Sequence, residues 1–217
     1  MKQRITEQQL LQNYNVLFQN IAKDTVLATE LAEYGYTTDE IARGKALYET
    51  VANKYNVNKK ETAEETTAYA IFNEKLTAVL NTYRTDRKKA KIVFMNQADV
   101  LKNLNIKSLV PSRNAEAIES MKLFYNTLNN QESLLNALNQ LKITADHVGN
   151  QLTLITETES AYANYIQEKG ESQQATQDKN KAFSEIDVWI RRFYAVAKIA
   201  LEDQPQLLES VAKLVRS

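Results

Sequence analysis

Only two prolines and four glycines interrupt 217 residues, and that scarcity decides most of what the chain can become. Tight turns and strand connections draw heavily on those two residue types. A sequence that nearly lacks them, while rich in Gln, Asn, Lys, Glu, Leu and Ala, predicts long helices joined by few turns. The expected class is all-α. At 43% hydrophobic and 25% charged the chain also has the means to bury a core.

Apolar residues recur at helical spacing. Leu10, Tyr14, Leu17, Ile21, Ala28 and Leu31 form one stripe, which predicts helix A over about residues 6–34, interrupted only where Asp24 takes an apolar position. The stretch YGYTTDEI, Tyr34 to Ile41, then supplies a helix start. Thr37 can cap, Glu40 three residues on can reach back, and Tyr36 can pack on Ile41. Gly35 reads as the left-handed residue that ends helix A. Helix B is expected from Thr38 to about Asn56, ended by the polar stretch NVNKKE. Thr62 with Glu65 then opens helix C, whose stripe of Tyr69, Phe72, Leu76, Val79, Tyr83, Ala90 and Val93 reaches about Phe94. A short helix D, capped by Asn96, runs to about Leu104.

The same plan returns 107 residues on. Thr37 and Asp39 meet Thr144 and Asp146, Leu27 and Leu31 meet Leu134 and Leu138, and AKI at Ala90–Ile92 meets AKI at Ala197–Ile199. Asn96 falls on Asp203, a second capping residue just before Pro205. Asp24 falls on Gln131, so each helix A carries a polar residue in its seam, a device that can fix register. Lys142 takes the place of Gly35, a less comfortable occupant of a left-handed turn. The sequence therefore predicts an elongated helical bundle of two tandem repeats of about 107 residues, each with three long helices and one short one. The repeats span 1–106 and 113–217, with 107–112 as linker, and pack as two domains or as one.

Chemistry is bounded more by what is missing. With 27 basic and 27 acidic residues the net charge is zero, so attraction to nucleic acid or an anionic surface needs a local patch. The absence of cysteine removes disulfides, thiolate nucleophiles and zinc-thiolate sites. The single histidine, His147, stands where the first repeat has Glu40, which suits a surface capping residue better than a catalyst. One histidine cannot furnish the two Glu-x-x-His pairs of a di-iron bundle, and isolated glycines make no phosphate loop. No cofactor and no metal are expected, and no enzyme unless Asp, Glu and Tyr side chains meet in a pocket between helices. No apolar run approaches the roughly 18 residues of a transmembrane segment. The opening MKQRITEQQLLQNYN has no signal-peptide core, so the expected location is the cytoplasm.

One segment stands out for charge. RTDRKKAK brings together Arg84, Arg87, Lys88, Lys89 and Lys91, and the second repeat offers Arg191, Arg192 and Lys198 around the aromatic run WIRRFY. Cations near a helix C-terminus complement its dipole. The same eight residues are the candidates for polyanion contact. The first expectation for function is a non-enzymatic helical scaffold that binds a protein partner, or itself, along an exposed helix face. Nucleic-acid or polyanion binding through the basic segments is the second reading, and an enzyme the third.

Overall fold

A computed structural model describes residues 5–212; the outer ends of both expected repeats, 1–4 and 213–217, lie outside the described residues. The described chain is all-helical, with no strand. Its elements are α1 (Glu7–Lys23), α2 (Thr25–Glu33), α3 (Thr38–Val93), α4 (Ala98–Asn103), α5 (Asn114–Asn130), α6 (Glu132–Leu138), α7 (Ala145–Ala200) and α8 (Pro205–Ala212), with a 3-10 turn at Asn139–Leu141 after α6. None of these helices is long and apolar enough to cross a membrane.

The expected helix A is two helices, and Asp24 is the reason. Its N–H still donates to Asn20 O at 3.1 Å, ending α1. Its carboxylate Oδ1 accepts from the backbone N–H groups of Val26 and Leu27, both at 3.0 Å, opening α2. Asp24 is thus a cap and not a polar residue fixing register in a seam. Gln131 lies at the same kind of break between α5 and α6, where its side chain makes no cap bond and accepts instead from Asn103 Nδ2 at 3.3 Å. Replacing Asp24 with Ala or Leu is expected to cost about 1–2 kcal/mol. The check is a lower urea midpoint at unchanged slope, whereas a seam residue replaced by Leu would gain stability.

The expected helices B and C are one helix, α3, of 56 residues. NVNKKE weakens the apolar pattern but contains neither Gly nor Pro, so nothing stops the hydrogen-bond ladder. Thr62 does not cap; its hydroxyl donates to Asn58 O four residues back at 2.8 Å, a bond made inside a helix. Each half therefore lacks the three long helices expected of it. Helix D begins at Ala98 with Gln97 as its cap residue, not Asn96, and Asp203 lies in the turn before α8.

Three helix ends share one device. Gly35, Asn105 and Lys142 have φ of 90°, 54° and 62°. In each, the following residue folds its N–H back across the last turn: Tyr36 to Leu31 O, Ile106 to Leu101 O and Ile143 to Leu138 O. Tyr36, Ile106 and Ile143 are all buried, which supplies the apolar contact that such an ending needs.

The chain divides into two compact units: the described residues up to Thr62 with those from Glu171 onward, and Ala63–Gly170. Neither coincides with residues 1–106 or 113–217; each draws on both, and the linker 107–112 falls inside the second. Helices α3 and α7 each contribute one stretch to each unit. The first unit buries Leu17, Leu27 and Leu31 with Val51, Ile186 and Phe193. The second buries Phe72 and Tyr83 of α3, Met121 and Phe124 of α5, and Val148 and Ile155 of α7, with Leu104 and Ile106 closing one end.

Candidate basic cleft and its buried support

On a helix the eight-residue basic segment cannot act as one patch, because successive residues turn by about 100°. Tyr83, Asp86, Arg87 and Ala90 fall on the inward face of α3 and are buried. Arg84, Lys88 and Lys91 share the outward face and are exposed. These three line a shallow cleft of about 220 Å³ with Arg87, Ser108, Leu109 and Val110. Among the described residues none of the three side chains makes a hydrogen bond or an ion pair. Lys89 takes another course, its Nζ lying 3.2 Å from Asp86 Oδ1.

Arg87, 5% exposed, fastens the cleft wall. Its Nη2 donates to Ile106 O at 3.1 Å and Ser108 O at 2.5 Å, and the guanidinium stands 5.4 Å from the centre of the Tyr83 ring. A buried cation needs compensation, and two carbonyl dipoles with an aromatic face provide it. The loop from Ile106 to Val110 is thereby tied to α3 at two carbonyls, on either side of Lys107 and next to Leu109. Tyr83 is fixed in turn by Ser120, hydroxyl to hydroxyl at 2.8 Å.

Beside this clamp lies a carboxylate that the sequence stripe passes over between Tyr83 and Ala90. Asp86 is 1% exposed. Its Oδ2 accepts from the Tyr125 hydroxyl at 2.8 Å and lies 2.6 Å from His147 Nε2. With Lys89 on Oδ1, both oxygens are engaged. Burial first, then the Asp86 charge, push the Tyr125 hydroxyl far above its usual range, so it remains a donor at any physiological pH. His147 is therefore not a side-chain cap. Its backbone N–H does bond Thr144 Oγ1 at 3.2 Å, but its imidazole turns to Asp86. Among the described residues no hydroxyl hydrogen-bonds to that imidazole; the Tyr125 hydroxyl reaches only the carboxylate.

At the positions 107 residues away, in the other unit, Asp86, Tyr125 and His147 correspond to Phe193, Phe18 and Glu40. There the polar group centres on Glu40: Trp189 Nε1 donates to its Oε1 at 2.9 Å, and Arg43 Nη1 donates to its Oε2 at 3.4 Å. Glu40 is thus drawn to the indole and does not reach back to Thr37. Trp189 stacks on Phe193 with ring centres 5.4 Å apart and meets Tyr36 edge-on at 5.6 Å. A cleft of about 400 Å³ beside it is lined by Glu40, Arg43, Glu185 and Arg192 with Leu47, Val188 and Trp189, a rim of mixed sign. Arg191 pairs with Asp187, and Lys198 is exposed in the last turn of α7. Of the eight candidate cations, then, Arg84, Lys88 and Lys91 stand together without acids. Arg87 and Lys89 support the structure behind them, and Arg191, Arg192 and Lys198 belong to the other unit.

The signal for the Asp86 cluster was a gap: a heptad stripe that jumps from Tyr83 to Ala90 has an inward position unaccounted for, and Asp86 fills it. Comparisons with protein-family models, with curated proteins and with solved structures found no match for the chain.

Proposed function

We propose that the protein is a non-catalytic helical scaffold, built from two copies of one sequence unit, whose working surface is the Arg84–Lys88–Lys91 face and whose partner is polyanionic. One observation carries this: three adjacent cations surround a cleft without a single acid among the described residues. Like charges three and four residues apart on a helix destabilise it by roughly 0.2–0.5 kcal/mol a pair. The helix dipole favours Lys91 in the last turn of α3 but not Arg84 and Lys88 further back, and an anionic partner would supply their missing counter-charge.

The duplication is supported by element boundaries as well as by residues. α1 and α5 are both 17 residues long and α3 and α7 both 56. Their starts, Glu7 with Asn114 and Thr38 with Ala145, are 107 residues apart in each case, as are Ala98 and Pro205. The two copies differ where the basic face and its Asp86 support stand, so the surface distinguishes one copy from the other.

The test is titration of fluorescently labelled inorganic polyphosphate at rising salt. For about three phosphate contacts, the logarithm of the binding constant should fall by roughly 2–3 per tenfold increase in salt. Arg84→Gln/Lys88→Gln/Lys91→Gln should weaken binding at least ~10-fold, and neutralising Arg191, Arg192 and Lys198 should change it little. Binding that ignores salt, or that the first triple variant leaves intact, would sink the reading.

A further inference from the structure

The basic face carries a second chemical character. Leu109, at the tip of the loop that Arg87 clamps, is 91% exposed. Met95 and Ile92, which follow Lys91 at the end of α3, are 63% and 62% exposed. Lys107 precedes Leu109 on the same loop and is exposed as well. An exposed leucine on a slack loop would mean little, since folded proteins show many apolar atoms to water. Here the loop is held by two bonds from a nearly buried guanidinium to Ile106 O and Ser108 O. The outward position of Leu109 is therefore set by the structure behind it.

Apolar side chains projecting beside uncompensated cations match one environment in particular, the interfacial layer of an anionic bilayer. Phosphate headgroups there meet lysine and arginine while apolar tips enter the acyl boundary. A single-stranded nucleic acid offers the phosphates but rewards aromatic platforms, and the cleft lining contains none. We propose that the Arg84–Lys88–Lys91 face, with Lys107, Leu109, Met95 and Ile92, is a peripheral docking surface for anionic lipid bilayers. This rests on the polyanion reading above and names its partner.

Each cation near an anionic surface strengthens partition about fivefold, and a buried leucine adds ~10-fold or more. The chain is free of cysteine, so Leu109→Cys gives a single site for an environment-sensitive fluorophore on the full chain. Vesicles of equal parts phosphatidylglycerol and phosphatidylcholine should sediment the protein, and vesicles of phosphatidylcholine alone should not. The dye should shift to the blue with the mixed vesicles and stay unshifted with polyphosphate. Ile92→Gln/Met95→Gln/Leu109→Gln should lower vesicle partition at least ~10-fold.

A chain that binds polyphosphate but ignores the mixed vesicles would overturn the bilayer proposal and leave the polyanion reading standing. A chain that binds neither would remove both. A dye that remains in water on sedimented protein, or single-stranded RNA that strips the chain from vesicles at equal phosphate concentration, would also overturn the proposal.

Discussion

Asp86→Ala should destabilise the Ala63–Gly170 unit by about 3–5 kcal/mol, the range for breaking a buried ionic group by removing one partner. The carboxylate is 1% exposed and receives Tyr125, His147 and Lys89 together. Without it, the Tyr125 hydroxyl is left in the core with no acceptor, and an orphaned buried donor costs about 1–3 kcal/mol. That cost is separable. Tyr125→Phe added to Asp86→Ala removes the orphan, so the double variant should recover about 1–2 kcal/mol over the single one. His147→Ala should cost less than Asp86→Ala, because the imidazole side chain is 26% exposed and water can replace it at the rim. Urea unfolding followed by far-ultraviolet circular dichroism measures all four proteins. If the double variant is no more stable than Asp86→Ala, the Tyr125 hydroxyl does not depend on this carboxylate.

The second large effect is expected at Gly44. It is buried within α3, and a Cβ added there would lie 2.3 Å from Trp189 Cζ2 and 2.5 Å from Cε2. Glycine to alanine inside a helix normally gains about 1 kcal/mol. Here the indole cannot retreat easily, because it is bonded to Glu40 and stacked on Phe193. Overpacking of this kind costs about 1–3 kcal/mol, so Gly44→Ala should lose stability on balance, and Gly44→Leu should lose more. Trp189 is the only tryptophan, so its emission should move to the red as the ring is displaced into water. Gly149 and Gly170, with open space where a Cβ would go, are the controls. Alanine at either should stabilise by about 0.5–1 kcal/mol. An increase in stability at Gly44 equal to that of the controls would show that the indole yields freely.

Two left-handed helix ends were legible where several other ends, and the helix lengths, were not. Gly35 holds the left-handed position predicted for it, and of the two outcomes open at Lys142, a left-handed lysine or a changed turn, the structure has the first; a helix end writes its needs into two or three adjacent residues. Asp24 shows the limit of that logic. A polar residue in an apolar stripe fits a seam or a cap, and only the chain direction on each side decides between them. The fusion of helices B and C was hidden for a different reason. No hydrophobic residue between Ala52 and Thr67 is fully buried, while Val51 belongs to one core and Phe72 to the other. A fading stripe looks the same whether a helix stops or passes from one core to the next, and the scarcity of breakers was the better guide.

The basic segment had a similar ambiguity. Counting cations along the chain brought Arg87 and Lys89 in with Arg84, Lys88 and Lys91, although the helical turn gives them different neighbours. The role of Asp86 lay beyond any local pattern, since its partners Tyr125 and His147 come from α5 and α7. Its only local trace was an acid on the inward side of α3.

The uncompensated face also bears on how the molecule travels before it touches anything. Its acids and bases are equal in number, 27 of each, so cations left without partners on one side imply a matching excess of negative charge elsewhere. Such a molecule feels little net pull from a distant charged surface but a strong torque near one. On the polyanion reading, approach to an anionic surface within about a Debye length, roughly 8–10 Å at ordinary salt, would turn the Ala63–Gly170 unit until its Arg84–Lys88–Lys91 side leads. Orientation would then precede contact, and the residues proposed to meet the surface would arrive facing it.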